Sequence, residues 1–168
     1  QVVVDPHDST GVTAYVTFSG FSGFNDTLGH VFKTTNGGAS WQDISTSPFS
    51  MTPLLNVPVN DIVVDPADAT SKTLYVSTDV GVFQTGDGGM NWSPINPATP
   101  SAAGLPRVEV LSLRLNPASR TLRAWTHGRS VWDFQLGTFI PAFSLSSISP
   151  TSASPGAGNT NLTVIGNG

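Results

Sequence analysis

The chain is 168 residues long, with 11% charged side chains and a formal net charge of −4 at pH 7. Its few Lys and Arg residues form no run, which argues against a nucleic-acid or anionic-membrane partner. No apolar stretch approaches the roughly 18 residues that a membrane-spanning helix needs. Cysteine is absent, so the chain has neither a disulfide framework nor thiolate chemistry. The abundance of Gly, Pro, Ser, Thr and Val predicts an all-β protein with many short strands.

An internal repeat runs through residues 1–136. Each copy opens with an apolar run that an Asx-Pro turn closes, and the three runs are residues 2–6, 62–66 and 113–117. A second strand follows in each copy, at residues 14–17, 74–77 and 122–125. A third strand starts at Val31, Val82 and Val131. Four short strands in about fifty residues is a period typical of β-propeller blades.

The repeat predicts the architecture of residues 1–136. The first two copies continue through a Gly-rich turn into a fourth strand, whereas the third copy stops after Leu136 without one. We therefore expect two four-stranded antiparallel sheets and one three-stranded sheet, arranged radially as a partial propeller. The three-stranded sheet is expected to be the blade that closes the ring. Propellers have more blades than this repeat supplies, so the chain is expected to be a fragment of a longer protein.

The Gly-rich turns carry the most specific motif. Residues 34–41 read Thr-Thr-Asn-Gly-Gly-Ala-Ser-Trp, and residues 85–92 read Thr-Gly-Asp-Gly-Gly-Met-Asn-Trp. Two copies at equivalent places in one repeat resemble the Asp-box of sialidases, xyloglucanase-type glycoside hydrolases, sortilin and bacterial surface proteins. The residues expected to form the two Asp-boxes are Thr34, Asn36, Gly38, Trp41, Thr85, Asp87, Gly89 and Trp92.

The residue types in these turns suit the roles that the motif assigns to them. An Asx side chain bonds backbone amides across the turn, glycines supply positive φ, and a Trp packs between blades. We expect Trp41 and Trp92 to occupy equivalent positions in similar environments. In the families that the motif resembles, Asp-boxes lie on the outer rim, which favours a structural role for Asn36 and Asp87.

The sequence changes character after the repeat. Residues 137–143 are expected to be a linker. Residues 144–168, with Ser-Pro-Thr-Ser-Ala-Ser-Pro-Gly at 149–156 and a strand near residues 162–165, resemble the start of an IPT/TIG immunoglobulin-like domain. Only two strands of such a sandwich are present, and a two-stranded sheet is marginal in water. We therefore expect this tail to be disordered, packed on the propeller or completed by another chain.

The loop between the second and third strands is longer in the first copy than in the others. Small and aromatic residues alternate in it, and Phe18, Phe21 and Phe24 offer either a stacking surface for a sugar or an apolar anchor for a protein. The alternative is that they cap the neighbouring blade. The loop opens on the face of a propeller that usually binds ligands.

The corresponding loops of the other copies contribute further polar candidates. Asp79, His127 and Arg129 lie in these loops. They are expected near the mouth of the propeller's central channel, either as ligand contacts or as structural anchors of their loops. The full set of candidate ligand-binding residues is Phe18, Phe21, Phe24, Asp26, Asp79, His127 and Arg129.

No catalytic residue is assigned. A glycosidase generally needs two carboxylates about 5–10 Å apart, and most Asp residues here belong to repeated turns. A sialidase needs an arginine cluster drawn from several blades, whereas the arginines of this chain all fall in the third copy. The three His residues are scattered and no acidic loop has calcium-ligand spacing, so neither a metal site nor a cofactor is expected.

Three functions remain open. The leading hypothesis is a noncatalytic segment of a secreted or cell-surface propeller that binds a glycan or a protein, or serves a structural role. The second is the C-terminal part of a xyloglucanase-like glycoside hydrolase whose catalytic acids lie in further blades. The third is a self-assembling surface or filament subunit, because open strand edges pair readily with other chains. Remaining parts of a longer polypeptide, or copies of this chain, are the expected partners at those edges.

Overall fold

The first three groups of strands form separate antiparallel sheets. In the computed structural model, blade 1 contains β1 (Val2–Val4), β2 (Ala14–Thr17), β3 (Val31–Thr34) and β4 (Gln42–Asp43). Blade 2 contains β5 (Val59–Val64), β6 (Leu74–Thr78), β7 (Gly81–Thr85) and β8 (Ser93–Pro94). Blade 3 contains β9 (Val110–Asn116), β10 (Thr121–Thr126) and β11 (Val131–Gln135). Each sheet keeps its strands in chain order.

The structure describes residues 1–21, 28–46, 52–95, 105, 107–137, 144–150 and 163–167. None of these residues is helical, and they include no helix long and apolar enough to cross a membrane. The chain divides into two compact units, Gln1–Gly137 and Thr138–Gly168.

Burial along the strands shows how the blades stack. All five residues of β6 are buried, because both faces of blade 2 are covered by a neighbouring sheet. In β10 of blade 3 only Leu122 and Ala124 are buried, and they alternate with exposed Arg123 and Trp125. Successive side chains of a strand point to opposite faces, so blade 3 buries one face and exposes the other.

Two apolar cores join the three blades. The core between blades 1 and 2 includes Tyr15, Val31 and Ile44 from blade 1. The blade 2 residues of this core are Val59, Ile62, Val64, Leu74, Val76, Phe83 and Trp92. The core between blades 2 and 3 consists of Tyr75, Val82, Leu105, Val110, Leu113, Leu122, Ala124 and Leu136. Burying these side chains at about 25 cal/mol per Å² of apolar surface is the main stabilising term of the unit.

The predicted sheets are confirmed: the first unit is a partial β-propeller with two four-stranded blades and a three-stranded one. The prediction of similar environments for the two motif tryptophans is wrong. Trp41 and Trp92 directly precede equivalent strands, yet Trp92 is 4% exposed and Trp41 is 43% exposed. Trp92 packs on blade 1, whereas no described strand of the first unit packs on the same side of blade 1.

The second unit contains one described sheet of two strands. β12 (Ser144–Ser149) and β13 (Thr163–Asn167) pair antiparallel, with Ile148 opposite Val164. The resemblance of this segment to an IPT/TIG domain stays a prediction.

Candidate functional site

The two Gly-rich turns fold alike, down to individual hydrogen bonds. In the first, the amide of Gly38 donates to Thr34 Oγ1 (3.0 Å) and the amide of Ser40 donates to Asn36 Oδ1 (2.9 Å). In the second, the amide of Gly89 donates to Thr85 Oγ1 (3.0 Å) and the amide of Asn91 donates to Asp87 Oδ1 (2.9 Å). The hydroxyl and Asx oxygens are therefore used to hold the turns, and Asn36 serves as well as an aspartate.

Asp87 carries the charge that Asn36 lacks. Burial opposes ionisation of Asp87, but hydrogen bonds from Asn91 and Thr85 outweigh that effect and lower its pKa. The carboxylate is thus a fixed acceptor within its turn and not a proton donor at neutral pH.

The Asx-Pro turns fasten each blade to the next one. Ser71 of blade 2 donates from its hydroxyl to Asp5 of blade 1 (2.8 Å). Arg120 of blade 3 occupies the corresponding place and donates two hydrogen bonds to Asp65 of blade 2, at 2.6 and 2.8 Å. Ser71 and Arg120 both have positive φ, at 53° and 52°, so the same turn conformation aims both side chains at the preceding blade.

Asp65 is fully buried beside this arginine. Burial alone would raise its pKa, but hydrogen bonding to Arg120, together with the arginine's positive charge, lowers it. The bidentate geometry satisfies both carboxylate oxygens. Asp65 is therefore part of the blade interface, and no substrate can reach it while the blades are stacked.

An aromatic cleft opens in blade 1 beside the loop that joins β2 to β3. We call the side of each blade that carries the loop between its second and third strands the hairpin end. The cleft has a volume of about 230 Å³, and its lining residues are Phe18, Gly20, Phe21, Leu28, Gly29, His30 and Phe32. Phe18 packs edge-on against Phe32, with ring centroids 5.6 Å apart. Phe21 is 74% exposed. Phe24 and Asp26, the other candidates in this loop, lie outside the described residues.

Asn60 ties the hairpin ends of the three blades together. It accepts a hydrogen bond from the Ser19 hydroxyl of blade 1 (2.7 Å). Its side-chain amide donates to Asp79 of blade 2 (3.0 Å) and to the Val110 carbonyl of blade 3 (3.1 Å). Asp79 therefore lies at the predicted end of the molecule, where it anchors a loop through Asn60.

His127 and Arg129 lie on the β10–β11 hairpin of blade 3. His127 bonds Glu109 twice, through its backbone amide (2.9 Å) and through Nδ1 (2.7 Å). The Arg129 carbonyl accepts a hydrogen bond from Trp132 Nε1 (2.7 Å). These contacts fix the shape of the hairpin. They do not bring His127 or Arg129 into the Phe18–Phe21 cleft, whose lining comes from blade 1.

Every carboxylate in the described part of the chain has a hydrogen-bond partner in the protein. Asp43 accepts from Ser45 within its own turn, Asp61 accepts from the Leu113 amide of blade 3, and Asp133 pairs with Arg123. The described residues contain no group of three or more potential metal ligands. Among the described residues, the hairpin end thus offers aromatic rings and hydrogen-bonding groups.

Sequence reasoning missed two sets of residues. One is the ion pair between Asp65 and Arg120, which we call the clasp. The presence of an arginine beside the third Asx-Pro turn could have indicated it. The other is the exposed apolar face of blade 1, whose members are Val2, Val4, Val16, Phe32 and Trp41. Its signal was present in the repeat, because the matching positions of blade 2 are all apolar.

The chain matches no protein-family model and no curated protein sequence. Among solved structures it is similar to an ancestral GH74 enzyme, with a TM-score of 0.49 and 23% sequence identity. The match covers 74% of this chain and 16% of that one, so this chain spans a small part of the enzyme's length.

Proposed function

We propose that this chain is a noncatalytic segment of a β-propeller and that it binds a glycan at the hairpin end of blade 1. The observation that carries the proposal is the cleft in which Phe18 and Phe21 stand exposed beside His30. Aromatic faces at an open cleft stack on the apolar faces of sugar rings, and a few polar groups nearby supply orientation.

The state of the carboxylates supports a noncatalytic role. A glycosidase needs an acid with a raised pKa and a second carboxylate within reach of the same bond. The aspartates of the described residues whose pKa is shifted are Asp8, Asp65, Asp68, Asp87 and Asp133, and all five are shifted downward. Asp65 is held by Arg120 of the next blade, and the other four are held by hydrogen bonds within a turn or a sheet.

Two further parts of the proposal concern the kind of propeller. We assign the turns at residues 34–41 and 85–92 to the Asp-box motif, because both use a hydroxyl and an Asx oxygen to hold backbone amides. We also propose a secreted or cell-surface location, which follows from that motif's relatives. Detection of the protein in culture medium or on intact cells tests the location.

Affinity electrophoresis tests glycan binding directly. The unmodified chain should be retarded in gels that contain xyloglucan or hydroxyethyl cellulose. Phe21→Ala should weaken the binding free energy derived from this retardation by about 1–3 kcal/mol, the range that an aromatic side chain contributes when a base stacks on it. Met90→Ala is the matched control, because Met90 is an exposed apolar residue of the second Gly-rich turn, away from the cleft. Equal retardation of the Phe21 and Met90 variants, or none of the unmodified chain, contradicts the proposal.

A further inference from the structure

Blade 1 carries an exposed apolar surface on the side that faces away from blade 2. We call Val2, Val4, Val16, Phe32 and Trp41 the blade-1 open face. Val2 is 63% exposed and Val4 is 53% exposed. Val16, Phe32 and Trp41 line a largely apolar cleft of about 410 Å³ together with Phe18. Exposed apolar surface of this extent marks an interaction site.

The blade-1 open face has an internal counterpart that is already occupied. Val2 pairs with Val16, and Val16 pairs with Phe32, across β1, β2 and β3. In blade 2 the same register positions are Ile62, Val76 and Phe83, and Val64 and Trp92 match Val4 and Trp41. All five blade 2 residues are buried against blade 1. Blade 1 thus covers this row of apolar side chains in blade 2, whereas the corresponding row of blade 1 has no described sheet packed on it.

The covering sheet contributes specific contacts besides apolar area. Trp92 Nε1 donates to the Ile44 carbonyl of blade 1 at 2.9 Å. Ile44 packs so close to Gly89 that a Cβ added at Gly89 would lie 2.7 Å from the Ile44 Cβ. The contact therefore requires a glycine. Gly38 and Trp41 occupy the matching positions of blade 1, where a Cβ at Gly38 would meet only the Trp41 ring, at 3.8 Å, and no described residue takes the place of Ile44.

We propose that the blade-1 open face binds a further four-stranded blade of the blade-1 kind. Such a blade presents an aromatic side chain at the position of Tyr15, a β-branched one at the position of Val31, and the side chain and carbonyl of an aliphatic residue at the position of Ile44. The interface would then repeat the one that blades 1 and 2 form. Phe18 and Phe32 line both this surface and the glycan cleft, whereas Phe21, the residue that tests glycan binding, lines only the glycan cleft.

Blade 3 of a second copy does not meet these requirements. The rows that face the next blade are Val3, Tyr15 and Lys33 in blade 1 and Val63, Tyr75 and Gln84 in blade 2. The corresponding row in blade 3 is Arg114, Arg123 and Asp133. Arg123 and Asp133 form a bidentate ion pair with both bonds at 2.7 Å. Burying this charged row against valines would cost the hydration of the ions with little in return. Head-to-tail stacking of this chain is therefore disfavoured.

A blade duplication tests the proposal. Because Ile62 is the repeat counterpart of Val2, residues 1–60 form one repeat, and a second copy of them can be fused ahead of Gln1 of the full chain. The measurement is hydrogen exchange of the indole N–H groups by NMR. In the fusion, the Trp41 indole of the original blade 1 should become as protected as that of Trp92, and the added copy's own Trp should exchange quickly.

The matched control carries Val3→Arg, Tyr15→Arg and Lys33→Asp in the added copy only, which reproduces the charged row that blade 3 accommodates within its sheet. The original Trp41 should then exchange as quickly as in the unmodified chain. A fusion in which the original Trp41 gains no protection contradicts the proposal. This holds even if the added copy is unfolded, because docking on the blade-1 open face should stabilise the folded form of that copy. Protection of Trp41 in the unmodified chain at high concentration, accompanied by assembly in sedimentation velocity, would make a second copy the occupant and overturn the proposal.

Discussion

The indole nitrogen of Trp92 donates a hydrogen bond to the Ile44 carbonyl, 2.9 Å away in the preceding blade. Trp92 directly precedes the fourth strand of blade 2, and Ile44 directly follows the fourth strand of blade 1, so the bond joins the outer edges of two sheets. Buried Trp residues usually have such a partner for the N–H group. The bond shows that the Gly-rich turn serves the contact between blades as well as the fold of its own blade.

Gly89→Ala should destabilise the protein more than Gly38→Ala. Both glycines have positive φ, at +97° and +91°, so both substitutions carry similar backbone strain. Only at Gly89 would the new methyl group meet another blade, 2.6 Å from the Ile44 carbonyl oxygen, whereas the nearest atom at Gly38 is 3.8 Å away. Overpacking should add about 1–3 kcal/mol at Gly89. Urea denaturation measures the difference, and equal losses for the two variants would show that the blades are not in contact there.

Arg120→Ala should lower the free energy of unfolding by about 3–5 kcal/mol, because it leaves the buried Asp65 carboxylate without its counter-ion. Asp65→Asn in the Arg120→Ala background should recover part of the loss, since it removes the unpaired charge. Arg123→Ala is the control. Its ion pair with Asp133 is solvent-exposed, and such pairs contribute little to stability because water and salt screen them. A small effect of Arg120→Ala, similar to that of Arg123→Ala, would contradict the interface role of the clasp.

Stability should fall between about pH 4 and pH 2. Burial opposes ionisation of Asp68, but hydrogen bonds from Thr70 and Thr73 outweigh it and lower the pKa of Asp68 to about 2. The pKa of an aspartate in the unfolded chain is about 3.9. The stabilisation that ionised Asp68 contributes is therefore complete above that pH and is lost as the pH falls through the pKa of the folded state. Asp68→Asn should flatten the dependence of the urea midpoint on pH in this window. A slope unchanged by the substitution would assign the acid sensitivity to other groups.

The sheets of the first unit were predictable from sequence because each strand is local and repeats. The runs that contain Val2–Val4 and Val59–Val64 alternate or end at Asx-Pro turns, and a short antiparallel connection leaves little choice of partner. The hydrogen bonds of the Gly-rich turns were predictable for the same reason, since the side chains of Thr34 and Asn36 bond groups within their own turn.

What the sequence did not predict depends on contacts between blades. Trp41 and Trp92 have nearly the same local sequence, and their difference in exposure arises only from the sheet packed beside them. Asp79 was expected either as a ligand contact or as a structural anchor, and its hydrogen bond to Asn60, 19 residues away, is not apparent from any local pattern. The same holds for Asp65, whose turn sequence resembles that of Asp5 although its partner is an arginine instead of a serine.

Indole hydrogen exchange in the unmodified 168-residue chain tests the central claim most directly, namely that the blades stack through one face and leave that face of blade 1 open. The account predicts that the Trp92 N–H group, bonded to the Ile44 carbonyl and 4% exposed, exchanges much more slowly than the Trp41 N–H group, which is 43% exposed. Trp41→Phe and Trp92→Phe assign the two signals. Rapid exchange at both indoles would contradict the stacking of blade 2 on blade 1, and protection of both in the monomer would contradict the open face.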